Sequence, residues 1–182
     1  MSDKPTTAAG YRPEFLEHVR ATCLYVATKL GDLMNDTVVV GGLVPSLLID
    51  QDAIGPGVEA HVGTMDLDVG LALAVLEGER YQALTERLRR AGLSPDRNEQ
   101  DNLTRQRWRL DGPHPVTIDF LIPPSRQDDR GGALRDIEPD FAAVITPGLR
   151  LAFEDRVCVT LAGKTIAGED ATRDVWVCGA GA

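Results

Sequence analysis

Apolar residues recur along the first third of the chain with the periods of helices and strands. Over residues 15–30 they lie three or four positions apart, which predicts an amphipathic helix. The β-branched run Thr37–Val40 predicts a buried strand. This strand leads directly into Gly41-Gly42, and residues 43–49 predict a short helix after the glycines. The pattern therefore predicts a strand-to-helix turn built on two adjacent glycines.

Residues 65–73 alternate strictly between large apolar side chains and small or acidic ones. Leu67 and Val69 point to one face of the predicted strand, whereas Asp66 and Asp68 point to the other. We therefore predict a half-buried strand that carries two carboxylates on its more open face.

The middle of the chain predicts another helix and a hairpin. Residues 81–91 have the apolar spacing of an amphipathic helix. Residues 104–110 and 115–122 predict two strands that pair as a hairpin. Alternation along the second strand turns its large apolar side chains to the core and leaves Asp119 on the opposite face.

The remainder of the chain predicts less regular structure. Residues 125–148 are polar and rich in glycine and proline, which indicates a loop. Beyond them we expect a hairpin that turns around Gly163, with Thr165-Ile166 in its second strand. A last short strand is predicted over residues 175–178.

The order of these elements predicts an α/β or α+β fold, in which a mixed sheet carries flanking helices. At 182 residues the chain suits one domain with a small appendage. We divide it into a flexible lead (residues 1–12), a core (13–124) and a C-terminal loop and strand extension (125–182).

Composition and charge narrow the class of protein. Apolar residues make up 43% of the chain and charged residues 26%, as in ordinary soluble proteins. The polar N-terminus and the short apolar runs predict a cytoplasmic protein without a membrane partner. The three cysteines lie in apolar contexts, so we expect them to be buried. A net charge of −9 disfavours indiscriminate binding to nucleic acid, although arginines crowd the middle third.

Three acids are candidates for metal chemistry. Asp66 and Asp68 project from one face of a strand, and their hard oxygen atoms suit Mg²⁺ or Mn²⁺. Asp119 lies in an apolar strand, where aspartate is a poor strand former and needs a reason to be present. If the three carboxylates converge, each pair repels by about 3 kcal/mol at an effective dielectric constant of about 20. Convergence therefore requires a cation, an arginine or protonation of one acid. The alternative for the Asp66/Asp68 pair is a solvated strand face.

Two further features suit an anionic ligand. The free N–H groups of the Gly41-Gly42 turn favour a phosphate, and Ser46, one turn later, is placed to add a hydroxyl; the alternatives are a plain turn and a surface serine. Arg107 lies between two other arginines that alternate along the predicted strand 104–110. If that face is also the carboxylate face, Arg107 is a candidate ligand for a triphosphate or a nucleic-acid acceptor. Otherwise it lies on a solvated strand face.

The glycine turn, Asp66-Leu67-Asp68 and Ile118-Asp119-Phe120 occur in an order that resembles the DNA polymerase β-like nucleotidyltransferase superfamily. Within it, the chain is similar to the abortive-infection toxin-like branch, AbiEii/AbiGii. The resemblance covers residues 13–124 and implies a nucleotidyltransferase fold.

The resemblance implies an activity and its site. Asp66, Asp68 and Asp119 would be the catalytic acids and hold Mg²⁺ or Mn²⁺, while Gly41 and Gly42 would hold the triphosphate tail. A nucleoside monophosphate would pass from a nucleoside triphosphate to a hydroxyl acceptor. Transfer RNA, another RNA, a protein and a small molecule are the acceptors it allows, and a toxin role would bring an antitoxin partner.

Two departures from the family pattern bear on these expectations. The interval from Gly42 to Asp66 is long, and the C-terminal helical segment with its lysine and acids is missing. We therefore expect a truncated form. The alternative function is a non-catalytic module that senses a nucleotide or binds a partner and retains the fold.

Overall fold

A computed structural model gives the arrangement of most of the chain. It describes residues 13–50, 55, 63–72, 80–112 and 115–182. The flexible lead predicted for residues 1–12, the end of the strand predicted over 65–73, and the tip of the hairpin at 113–114 lie outside the described residues.

Four α-helices flank the sheet in the described residues. The first, α1 (Pro13–Leu30), is the predicted amphipathic helix, and Gly31 follows it with a φ of +59°. The helices after it are α2 (Val44–Leu48), α3 (Arg80–Arg90) and α4 (Leu149–Glu154).

The described residues contain nine strands in one mixed sheet, with the spatial order β3-β4-β5-β2-β1-β9-β8. The strand β7 also pairs with the end of β5, and β6 pairs with β7. The bounds are β1 (Thr37–Val40), β2 (Asp66–Leu71), β3 (Leu93–Arg97), β4 (Leu103–Leu110), β5 (Val116–Ile122), β6 (Leu134–Glu138), β7 (Phe141–Ile145), β8 (Arg156–Lys164) and β9 (Asp170–Cys178).

The main core lies on the face of the sheet that α1 and α3 cover. It takes the inward-facing side chains of the central strands, so Leu67 and Val69 of β2 and Ile118 and Phe120 of β5 are wholly buried. Burial alternates residue by residue along β5, as the sequence predicts. The mixed sheet with flanking helices is therefore confirmed.

The opposite face of the sheet is covered only in part. Leu149 of α4 packs on Val38 of β1, next to Gly70 of β2. A Cβ atom at Gly70 would lie 2.9 Å from a methyl group of Val38 and 3.0 Å from one of Leu149, so the glycine permits this close packing. Asp66 and Asp68 lie at the other end of β2, which leaves the acids at the less covered part of the face.

Several sequence expectations for the second half of the chain are wrong. The segment 125–148, expected to be a loop, contains the β6–β7 hairpin, whose inner strand buries Phe141 completely. Thr165 and Ile166 form the turn of the last hairpin, since β8 continues to Lys164 and pairs with a nine-residue β9. Short strands with polar edges have too weak a period to be separated from loops.

The cysteines are not all buried as expected. Cys23 on α1 is buried, Cys178 is half-buried and Cys158 is exposed, because β8 lies at the edge of the sheet. Among the described residues, no helix is long and apolar enough to cross a membrane.

Candidate functional site

The sheet places the predicted acids on one face by strand register. In the parallel pair β2–β5, Asp68 lies opposite Asp119 and Asp66 lies opposite Thr117. Residues that pair across neighbouring strands point to the same face, about 4.8 Å apart along the sheet. Arg107 of β4 lies opposite Asp119 on its other side. One row across the sheet therefore reads Arg107, Asp119, Asp68.

The glycine turn packs closely against Asp68. Gly41 follows β1 with a φ of +73°, a left-handed conformation that favours glycine. A Cβ atom at Gly41 would lie 2.1 Å from the Oδ2 atom of Asp68. At Gly42 it would lie 2.8 Å from the Cβ of Thr64. The two glycines therefore let the turn approach the acidic strand.

Asp119 is held by an arginine. The Nε and Nη2 atoms of Arg107 donate to its two carboxylate oxygens at 2.7 and 2.6 Å, a bidentate geometry. The side chain of Arg107 is 34% exposed and that of Asp119 is 17% exposed, so solvent reaches the pair only in part. The hydrogen bond to Asp119 raises the pKa of Arg107 well above its usual range, with further support from the charges of Asp66 and Asp96.

Asp66 faces a cleft rather than Asp119. Its Oδ1 atom accepts a hydrogen bond of 2.7 Å from the hydroxyl of Thr117. Both residues line a cleft of about 470 Å³, together with Arg107 and Arg109. Residues 96–99, at the end of β3 and in the turn after it, also line the cleft, next to a register shift in the β3–β4 pair.

The charges of the cleft are balanced within it. Its lining contains three arginines and three acids: Arg97, Arg107, Arg109, Asp66, Asp96 and Glu99. Arg109 donates a hydrogen bond of 3.2 Å to Asp96, so an ion pair joins β3 and β4 in the wall of the cleft. An anionic ligand entering the cleft would meet guanidinium groups that have to exchange one carboxylate partner for another.

The fit of the three acids to a metal ion is incomplete. Their backbone positions are adjacent, but Asp119 bonds to Arg107, Asp66 bonds to Thr117 and Asp68 lies against Gly41. Within the described part of the chain, no three His, Cys, Asp or Glu side chains are grouped closely enough to hold a metal ion. Of the ways to relieve repulsion between the acids, the structure uses an arginine at Asp119. The donor set is suited to Mg²⁺ or Mn²⁺, and side-chain rotation is required to gather it.

Ser46 is not brought to the cleft. Its hydroxyl donates to the Leu43 carbonyl at 2.7 Å, and its side chain borders a different cavity, between α1 and α2. Thr117 and Asp96, in contrast, line the cleft and were not among the predicted site residues. Alternation along β5 already placed Thr117 on the face of Asp119, whereas Asp96 lies on β3, a strand that was not predicted.

Comparisons of the chain with protein families, with curated proteins and with solved structures give no significant match. The function is therefore argued from the site itself. Its components are a glycine turn on an acidic strand, a second acidic strand beside it and an arginine-lined cleft.

Proposed function

We propose that this protein is a metal-dependent nucleotidyltransferase with a nucleotidyltransferase fold. The observation that carries the proposal is the close approach of Gly41 to Asp68, on the strand that lies in register with Asp119. This arrangement supports the proposal because a glycine turn next to acidic strands suits a phosphate and its metal ion.

In the proposed reaction the acceptor hydroxyl oxygen bonds to the α-phosphorus of a nucleoside triphosphate, and the bond from that phosphorus to the pyrophosphate oxygen breaks. In this proposal the Gly41-Gly42 turn holds the triphosphate tail. Arg107 and Arg109 are candidates to bind a phosphate group in the cleft that they line, and the two glycines are not part of that lining. Asp119 accepts the proton of the acceptor hydroxyl.

Asp66, Asp68 and Asp119 are the residues that would hold Mg²⁺ or Mn²⁺. Bound there, the ion supplies positive charge to the transferred and leaving phosphates.

The acceptor belongs to one of three classes: an RNA (transfer RNA especially), a protein hydroxyl or a small molecule. The proposal includes a toxin role for the enzyme itself, with an antitoxin protein as its partner. A cytoplasmic location accompanies the proposal, because nucleoside triphosphates are available there.

The Arg107–Asp119 pair favours a second candidate function. An acid whose two oxygens are both bonded to an arginine needs no metal for its charge to be balanced. The chain would then be a non-catalytic module that senses a nucleotide in the arginine-lined cleft or binds a partner.

Thermal unfolding with each nucleoside triphosphate, with and without Mg²⁺, tests the proposal without knowledge of the acceptor. Ligand at 100 times its Kd adds about 2.7 kcal/mol, which raises Tm by about 5–11 °C in a chain of this size. We expect Asp68→Asn to abolish a Mg²⁺-dependent rise. Asp136→Asn, an acid of β6 that pairs with Arg105, should retain it.

The same experiment separates the two candidate functions. A rise that does not need Mg²⁺ and survives Asp68→Asn would indicate nucleotide sensing. The absence of any rise, in protein whose circular dichroism shows it folded, would refute nucleotide transfer and favour the partner-binding form.

A further inference from the structure

One edge of the sheet is long and open. The strand β8 (Arg156–Lys164) pairs with β9 along its whole length, and on its other side the described residues supply no strand. This open edge therefore presents backbone N–H and C=O groups that the sheet itself does not pair. Such a row of groups is a template on which a further strand can form.

Other edges of the sheet carry features that oppose such pairing, and β8 does not. The edge strand β3 is five residues long and contains Pro95, Asp96 and Arg97. Proline lacks the N–H donor of a ladder, and charged side chains on an edge disfavour a neighbouring strand. The strand β6 is charged at three of its five positions. Between its two terminal cations, in contrast, β8 has seven uncharged residues and no proline, in the sequence VCVTLAG.

Apolar surface accompanies the open edge. Val157, Val159 and Leu161 alternate along β8 and point to the face of the sheet on which the main core lies. Leu161 is 1% exposed, whereas Val157 is 45% exposed, so the apolar row reaches past the covered part of the sheet. A further strand beside β8 would place its own side chains next to Val157 and remove it from water.

The charges at the ends of β8 favour one orientation of that strand. Glu154 and Asp155 lie immediately before β8 and are exposed. Lys164 at the other end is 70% exposed and contacts Asp170 at 3.3 Å, and its ammonium group has further donors for a second carboxylate. An antiparallel copy of β8 brings the acids of each chain to the lysine of the other. The strand is therefore complementary to itself in charge.

The second cation of β8 does not oppose this arrangement. Arg156 lies over the ring of Trp176 on β9, with 4.2 Å from the guanidinium carbon to the ring centroid. It also donates a hydrogen bond of 3.1 Å to the carbonyl of Asn35, just before β1. Both contacts draw the guanidinium group towards β9 and β1, away from the open edge.

We propose that β8 is the contact surface for a second copy of this chain, whose own β8 pairs with it antiparallel about a two-fold axis at Val159. In this register Val157 lies opposite Leu161 of the other copy, and Lys164 comes next to Glu154. The two sheets then form one continuous sheet. The inference is independent of the proposed function, because β8 lies at the opposite end of the strand order from β3 and β4, whose residues line the cleft.

Sedimentation velocity of the full chain measures the association directly. A single strand edge is smaller than a standard interface, so we expect a dimer with a micromolar Kd. Val157→Lys places a charge on the open edge and should weaken the dimer at least about tenfold. Leu134→Lys is the matched control, because Leu134 is 44% exposed on β6, and its Kd should stay within about twofold of the wild type. A wild type that stays monomeric at about 100 µM, or a dimer that Val157→Lys does not weaken, would overturn the proposal.

Charge reversal tests the antiparallel orientation. Lys164→Glu places acids against acids at both ends of the pair and should weaken the dimer about tenfold. The further change Glu154→Lys restores opposite charges between the copies and should recover most of the wild-type Kd. A double variant that associates no more tightly than Lys164→Glu would refute this pairing. Circular dichroism checks that each variant is folded.

A disulfide between the copies tests the register. Cys158 is exposed on β8, and the axis at Val159 places it opposite Thr160 of the other copy. With oxidised glutathione, Thr160→Cys should therefore form a covalent dimer, in which two thiols lose their protons and electrons to the glutathione disulfide. The same substitution combined with Cys158→Ser should link much more slowly. Equal rates would contradict the axis at Val159 and with it the proposal.

Discussion

Replacement of Gly41 by alanine should affect both stability and the acidic strand. At a φ of +73° an alanine costs about 1–2 kcal/mol relative to glycine. Its Cβ atom would also lie 2.1 Å from the Oδ2 atom of Asp68, well inside van der Waals contact. Relief of such an overlap typically costs about 1–3 kcal/mol.

The two effects together predict a loss of about 3 kcal/mol in the free energy of unfolding, which lowers Tm by about 6–12 °C. Equilibrium unfolding in urea, followed by circular dichroism, gives the change directly. Gly132→Ala is the matched control, because Gly132 has a φ of +81° and an added Cβ atom there has no neighbour within 4 Å among the described residues. It should show the backbone effect alone.

The steric part of the prediction depends on the Asp68 carboxylate. In an Asp68→Ala background the nearest remaining side-chain atom is Cβ, 3.3 Å from the new methyl group, so Gly41→Ala should lose only about 1–2 kcal/mol. If Gly41→Ala has the same effect in both backgrounds, and the same effect as Gly132→Ala, the apposition of turn and acid is wrong.

Two further predictions concern the core. Trp108 is wholly buried and packs edge-to-face on Phe141 at 5.8 Å, so Trp108→Ala should lower the free energy of unfolding in urea by about 3–5 kcal/mol. The half-buried Trp176 should tolerate the same change better, and equal losses would contradict this account. Burial raises the pKa of the Cys23 thiol to about 12. Above pH 9 the unfolded chain then releases a proton that the folded chain retains, so stability should fall with pH by about 1.4 kcal/mol per unit more than in Cys23→Ala; identical slopes up to pH 11 would refute it.

Strand alternation alone predicts the orientation of the acids in the candidate site. The sequence places Asp66, Asp68 and Asp119 on the open faces of their strands, because each is flanked by apolar residues at period two, and burial in β2 and β5 agrees. The glycine turn was also predicted, since two glycines between a strand and a helix mark a tight connection. These features are local, and local sequence is enough to specify them.

The partners of these residues were decided by the tertiary structure. Whether Asp119 meets a metal ion, an arginine or Asp68 depends on which strand lies on each side of β5, and the sequence offers several strand orders. Pairing with β4 in its register places Arg107 on both oxygens of Asp119. A shift of one residue would have turned every arginine of β4 to the opposite face.

In the second half of the chain, strand pairing decides even which segments become strands. The β6–β7 hairpin has no strong period of its own, and it forms because β7 pairs with the end of β5 and buries Phe141 beside Trp108 and Phe120. Likewise β9 extends to nine residues because β8 supplies a partner along its whole length. In β2 and β5 the sequence by itself determined which residues face the core and which acids face the open side of the sheet. Only the tertiary structure decided what those acids contact, because contacts between strands depend on pairing and register across long sequence separations.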